Sequence, residues 1–476
     1  MTYANTDKFY INGEWVDPLS STPLDVINPA TEETFATLSM GTSADVDRAV
    51  AAAKEAYKTW GRTSREERLA VMERVLEVYK RRHDEFALAI STEMGAPISM
   101  AKEEQAAVGV SHLEAMIEAL KAFELEKTMP NGDTLMRGPI GVCGMITPWN
   151  WPINQIVLKV APALAAGCTM VLKPSEMTPI SAILYAEVLD EAGVPAGVFN
   201  LVHGFGPDVG SALSRHPDVT MMSFTGSYRG GTAVSVDSAP YVKRVALELG
   251  GKSPNLIFAD ADLESAVENG IGYVMGNTGQ SCDAPSRMLV EASVYDKAVE
   301  LAKAVTEEVE VGNPVEEGEH IGPLASEAHW NKVQSMIQMG IDEGATLVTG
   351  GTGKPEGFET GYFVKPTIFV NVTNDMRIAR EEIFGPVVVI IPFTDEEDAI
   401  AIANDTDYGL SSHIYSGDSE RVLRVARRLE AGMVNVNGNY IEAGSPFGGY
   451  KQSGVGREGG VLGLEEFLEA KAVSAF

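Results

Sequence analysis

The chain has 476 residues, 45% of them hydrophobic and 22% charged, which makes it globular and long enough for two or three cores. Its 67 acidic residues against 37 basic ones leave a formal net charge of −30, which excludes the clustered Lys and Arg of a nucleic-acid surface. No basic segment followed by an apolar core opens the chain, no apolar run approaches the roughly 18 residues of a membrane helix, and three cysteines make no disulfide framework, so a soluble protein of the reducing cytoplasm is expected.

After a short polar start the first part is expected to be helical. In "SADVDRAVAAAKEAYKTW", Val46, Val50, Ala53 and Tyr57 fall at helical spacing behind Ser43, the expected N-cap. "REERLAVMERVLEVYKRR" repeats the pattern with Leu69, Met72, Leu76 and Tyr79 as its core face. From about residue 140 the pattern changes. "GVCGMITP" reads as a strand and "PINQIVLKVAPALAAG" as a helix, with Pro152 in its first turn and Gly167 at its stop. "TMVLKP", "SAILYAEVLDEAG", "FNLV", a short helix near 207–215 and "TMMSFTG" continue the alternation. Strands alternating with helices imply a parallel sheet covered on both faces, with ligands outside the carboxyl ends of its strands. A second alternation follows "ELGGKSPN": "NLIFAD", the helical "LESAVENGIGYVMGN", "FVKPTIFVNV", "GPVVVIIPF", the helical "DEEDAIAIAND" and "GMVNVN". The terminal "LEEFLEAKAVSAF" is expected to fold back on either domain or on a neighbouring subunit.

Several polar motifs directly follow strands: "TPWNWP", "KPSE", "FTGS" and "LELGG". In "FTGSYRGG", Gly226 ends a strand and Ser227 caps the next helix, an arrangement suited to phosphate, although neither this nor "GFGPDVG" has GxGxxG spacing and each is equally a tight turn. Glu176, three residues after Lys173, offers a carboxylate that can bond both hydroxyls of an adenine ribose and repel a 2′-phosphate. Cys143 and Cys168 sit among apolar residues and read as core. Cys282 sits in the polar, glycine-marked "GNTGQSCDAPSR", a setting that suits an accessible nucleophile better than a core residue. No metal-ligand pattern is present in the sequence.

"GQSCDAPSR", "LELGGKSPN", "TPWNWP", "VLKPSE", "FTGS", "EEIFGPV" and "PFGGYKQSGVGRE" together resemble, in order, the signature set of the aldehyde dehydrogenase superfamily, and cover the chain from about 140 to 460. The resemblance implies an α/β fold with a Rossmann-like cofactor domain, an α/β catalytic domain and small oligomerisation strands. Carried onto this sequence, it implies a cofactor domain over 1–124 and 142–249, a catalytic domain over 250–435, oligomerisation segments over 125–141 and 460–476, and a return to the cofactor domain over 436–459. It implies Cys282 as the nucleophile, Asn150 and the Cys282 N–H as oxyanion donors, and Glu248 as the base that hydrolyses a thioester to a free carboxylic acid. Trp149, Lys173, Glu176, Gly226, Ser227, Glu382 and Phe384 correspond to contacts with NAD, with NADP left open. Trp151, Gln155, Asp283 and Tyr440 are candidate pocket residues by proximity to these motifs. The implied assembly is a homodimer or homotetramer acting on a small aldehyde, with no nucleic acid and no membrane as partner.

The sequence departs from the family pattern at Tyr228, where Thr is more usual, and at Asp283, a carboxylate beside the nucleophile. An acyl transfer to coenzyme A is disfavoured by the presence of Glu248. A non-catalytic protein on the same scaffold is disfavoured by the presence of both Cys282 and Asn150.

Overall fold

The computed structural model describes residues 3–475; residues 1, 2 and 476, the outer ends of the first and last expected segments, lie outside the described residues. Two large sheets dominate. The first has eight strands, in the order Glu14–Val16, Phe9–Ile11, Phe199–Leu201, Thr169–Lys173, Val142–Ile146, Met221–Thr225, Arg244–Glu248 and Gly454–Val455. Its five central strands are parallel. The sequence direction reverses between Val142–Ile146 and Met221–Thr225, so the crevice outside their carboxyl ends is the switch point where such sheets bind ligands. Buried side chains cover both faces, Met145 and Leu172 on one side and Val171, Met222 and Leu247 on the other. The helix Pro152–Ala166 explains its own apolar sequence, because nearly every one of its residues is buried. Pro152 fills its first position, and Gly167 ends it at φ 89°, as the sequence suggested.

The second sheet has seven strands, in the order Thr346–Thr349, Thr367–Val370, Val387–Phe393, Arg287–Glu291, Pro254–Ile257, Ser411–Tyr415 and Met433–Val436, all parallel except the first. A small antiparallel sheet joins Glu126–Thr128, Thr134–Pro139 and Leu468–Val473. The C-terminal segment thus pairs with residues 134–139 of its own chain. Among the described residues no helix is long and apolar enough to cross a membrane.

Three expectations need correction. The N-terminal part is not helical straight after a polar start: four strands occupy Phe9–Ile11, Glu14–Val16, Thr22–Ile27 and Thr34–Met40. The first two extend the edge of the large sheet, and the other two form a separate hairpin. Phe9–Ile11 is a buried apolar run of only three residues, and the other three strands have largely exposed or half-exposed polar positions, so none shows the longer apolar runs of the central strands. The helix Ser43–Trp60 is capped one residue early, by Thr42, whose N–H donates to Asp45 at 2.9 Å. In the helix Arg65–Arg81 the buried face is rotated: Val71, Val75 and Val78 lie beside Met72 and Tyr79, while Leu69 and Leu76 are only half-buried. Arg68 shares the buried face because its guanidinium donates to the carbonyls of Ser64, Ala165 and Thr63.

Arg287 ties Lys252, just before the strand Pro254–Ile257, to the helix Glu396–Asn404. It is fully buried, and its guanidinium donates at 2.9 Å to the Lys252, Ile402 and Ala403 carbonyls and to Asn374. Burial pushes it down to about 10, so it stays charged at neutral pH. Arg287→Met strips four acceptors of their donor and is expected to lower stability by about 3 kcal/mol or more in urea denaturation, against well under 1 kcal/mol for a surface change such as Arg62→Met.

Candidate active site

The carboxyl ends of the first sheet meet the amino ends of the second. Glu248 ends the strand Arg244–Glu248, and only five residues separate it from the strand Pro254–Ile257. Cys282 precedes Arg287–Glu291, and Glu382 and Phe384 precede Val387–Phe393. The rule that ligand residues follow strands therefore holds for the first sheet and inverts for the second.

Cys282 is held by a loop of unusual backbone. Asn277 and Thr278 lie at φ 50° and 56°, a left-handed conformation that few non-glycine residues adopt. The Asn277 amide donates to the carbonyls of Asn150 at 3.0 Å and Gln280 at 3.1 Å, and accepts from Gln105 Nε2 at 2.9 Å. Thr278 Oγ1 donates to Gly322 O at 3.0 Å. Gly279 follows at φ 73°, where a Cβ would stand 2.1 Å from the Gly385 backbone. The Cys282 carbonyl in turn packs on Gly251, where a Cβ would stand 2.4 Å from it. Asn150 is buried at the end of the strand Val142–Ile146, and its Nδ2 donates to Gln280 O at 3.0 Å, leaving one amide hydrogen free.

Burial pushes the Cys282 thiol well above its ordinary range, and the charges of Asp283, Glu382 and Glu248 push the same way against its own backbone N–H. Glu248 is buried and raised well above the usual carboxylate range, first by burial, then by Glu458, against the pull of Lys159 and Arg457. Among the described residues its Oε2 has no partner, and Lys159 and Glu458 form a buried ion pair at 2.5 Å nearby.

The expected cofactor residues lie at the ends of strands of the first sheet or in the loops after them, and before the strand Val387–Phe393 of the second. Lys173 Nζ is buried and donates to Pro174 O at 2.8 Å and Glu176 at 3.4 Å. Ser227 caps the helix Tyr228–Ser238, its Oγ accepting from Gly230 N at 3.2 Å, with Gly226 just before it. Thr147 and Thr225, at the ends of the two strands that flank the switch point, have buried hydroxyls without a partner. Glu382 accepts from Gly251 N at 3.0 Å. Phe384, at φ 64°, meets Trp149 edge-on at 5.5 Å. Orphaned hydroxyls, a capped helix N-terminus and a strand-end carboxylate suit a dinucleotide.

On the other side of Cys282 lies a cavity of about 610 Å³ that Trp151, Gln155, Asp283 and Tyr440 all line. Asp283 accepts from the Tyr273 hydroxyl at 2.7 Å, and Trp151 Nε1 donates to Ser281 Oγ at 2.8 Å. Among the described residues no group of three or more His, Cys, Asp or Glu could hold a metal ion. Cys143 and Cys168 are fully buried, away from the cavity wall.

Sequence reasoning missed Gln105, Asn277, Lys159, Glu458 and His329. His329 donates to Phe384 O at 2.6 Å and packs on Trp149 at 5.2 Å; burial holds it neutral, with its pKa down at about 4. Lys159 alone left a signal, a charge inside the otherwise apolar run "IVLKVAPALAA".

Comparison with known proteins agrees with this geometry. Residues 15–473 match the model of the aldehyde dehydrogenase family. The chain is 54% identical over 471 residues, 98% of each protein, to 3-succinoylsemialdehyde-pyridine dehydrogenase of a Pseudomonas species. It superposes on a crystal structure of aldehyde dehydrogenase from Bartonella henselae with a TM-score of 0.98 at 53% identity, covering 99% of both chains. A cysteine-to-alanine variant of aldehyde dehydrogenase C from Pseudomonas syringae, crystallised with NAD+ and octanal, gives a TM-score of 0.98 at 49% identity over 99% of this chain and 97% of that one. With the family's model spanning nearly its whole length, and relatives of about half-identical sequence sharing its fold, the chain belongs to the aldehyde dehydrogenase family.

Proposed function

We propose that this protein is an NAD-dependent aldehyde dehydrogenase that releases a free carboxylic acid. The observation that carries the reading is the convergence of Cys282, Asn150 and Glu248, from three separate segments, at the junction of the two sheets. The Cys282 thiol loses its proton and its sulfur attacks the aldehyde carbon, forming a hemithioacetal. The free Asn150 amide hydrogen and the Cys282 N–H stabilise the oxyanion. Trp149, Lys173, Glu176, Gly226, Ser227, Glu382 and Phe384 would hold NAD, which when bound would supply the hydride acceptor needed to leave a thioester on Cys282. Glu248 takes a proton from water, and the resulting hydroxide equivalent releases the acid and restores the thiol. Glu176 favours NAD over NADP by repelling a 2′-phosphate. The small sheet of residues 126–139 and 468–473 is the surface through which subunits associate as a dimer or tetramer.

Deacylation requires ionised Glu248, and burial raises its pKa, so the deacylation rate climbs as pH rises through that elevated range and falls as pH drops below it. Glu248→Gln fills similar space but cannot take a proton. In rapid mixing it is expected to give a burst of about one NADH per site, then very slow turnover, with the acyl group found on Cys282 by intact-protein mass spectrometry. Asn150→Ala weakens the attack itself, slowing the burst roughly 100- to 1,000-fold. A Glu248→Gln enzyme without burst or adduct would contradict the assignment, and turnover that depends on added coenzyme A would point to acyl transfer instead.

Asn277 acts as a positioning residue, because its amide fixes Asn150 without reaching the cavity. Asn277→Gly keeps the backbone freedom and removes the amide, whereas Asn277→Ala removes both. Both variants are expected to slow the burst by roughly 10- to 100-fold with NAD affinity nearly unchanged. Full activity in the Gly variant would show that only the backbone conformation matters.

A further inference from the structure

The polar chemistry of the cavity in front of Cys282 is lopsided. Three carboxylates reach it from three segments: Asp283 beside the nucleophile, Glu104 from the π-helical turn Ala101–Ala106, and Glu442 from the loop after the last strand of the second sheet. Among the described residues no lysine or arginine lines it. Three of the donors on its wall are bonded to the protein. The Tyr273 hydroxyl goes to Asp283 at 2.7 Å, the Trp151 N–H to Ser281 at 2.8 Å, and His112 Nε2 to Asn154 Oδ1 at 2.7 Å. Burial lowers the His112 pKa, so the ring adds no positive charge at neutral pH. The same bonds occupy acceptors on the wall at Asp283, Ser281 and Asn154. Gln155, 3% exposed and on the wall, has an Oε1 without a partner. Aromatic faces at Trp151, Tyr273 and Tyr440 complete the surface.

We infer that this cavity selects aldehydes by the charge of their far end, admitting neutral or cationic tails and rejecting a carboxylate. A carboxylate tail would meet the carboxyl groups of Asp283, Glu104 and the exposed Glu442, with only neutral amide and hydroxyl donors and no cation to offset them. A cationic tail meets carboxylates, an unpaired amide oxygen and aromatic faces. The inference rests on the aldehyde dehydrogenase reading above and names its substrate class.

Three aldehydes with the same spacer test it: 5,5-dimethylhexanal, its cationic isostere 4-(trimethylammonio)butanal, and 5-oxopentanoate. With the intact protein and NAD, kcat/KM for the neutral aldehyde is expected to exceed that for the carboxylate by roughly tenfold or more, with the cation equal to or above the neutral compound. The neutral-to-carboxylate ratio should shrink severalfold in 1 M salt and in the Glu104→Gln/Glu442→Gln variant, because charge near the mouth is screened or removed. A carboxylate turned over as well as its neutral counterpart, or a ratio unmoved by the double variant, overturns the inference. A second measurement does not depend on turnover. Cys282 alkylation by iodoacetate should be slower than by iodoacetamide by roughly tenfold more than for free cysteine, read by intact mass. If no aldehyde yields NADH, the dehydrogenase reading fails, and the alkylation ratio alone still decides the charge of the channel: an excess supports it, and parity overturns it.

Discussion

Two adjacent non-glycine residues held in a left-handed backbone, Asn277 and Thr278, are the constraint on which the site depends. Each conformation costs about 1–2 kcal/mol. The cost is offset by bonds that only this conformation makes: the Asn277 amide spans Asn150, Gln280 and Gln105, and Thr278 reaches Gly322. Gln280 Oε1 then accepts from Ala325 N at 2.9 Å, and its Nε2 donates to Asn277 O at 3.0 Å. The loop is thereby fastened to segments before, beside and behind it. Cys282 emerges from it at a fixed position relative to Asn150, the preorganisation that the proposed oxyanion role requires.

Placing the carboxyl ends of one sheet against the amino ends of another has an electrostatic consequence. It gathers Glu248, Glu382 and Asp283 around one sulfur, and all three, after burial, favour the protonated thiol. A protonated thiol is a poorer nucleophile than a thiolate, so this field works against the reactive form. Glu248 is raised by the same crowding, chiefly by burial and by Glu458. A carboxyl held above the ordinary range is, once ionised, a stronger base toward water.

Much of this was legible in the sequence. Central parallel strands such as "TMVL" and "VVVII" are buried on both faces, so they announce themselves as short apolar runs. Cys282 stood out because a cysteine among Gly, Gln, Ser and Asp has no packing reason to be there. The strands of residues 9–40 were missed because Phe9–Ile11 is too short to stand out and the others have exposed polar positions. The helix Arg65–Arg81 was misaligned because a buried arginine, paired with distant carbonyls, is indistinguishable from a surface one until the fold supplies Ala165. Gln105 and Asn277 left no trace for the same reason. Their role lies in bonds across 172 positions of sequence separation, and a lone amide in a helix or a turn carries no chemistry of its own.

The account stands on one atom, the Cys282 sulfur, as the group that becomes covalently bound to substrate. Its most direct test compares Cys282→Ala with the native protein, using a neutral straight-chain aldehyde and NAD, and follows NADH absorbance, acyl adduct mass and NAD affinity together. The expected result is no NADH above background and no adduct, with NAD affinity retained within about twofold, because the substitution removes the nucleophile and little else. Near-native NADH formation by the alanine variant would contradict the account, since no other described cysteine lines the cavity.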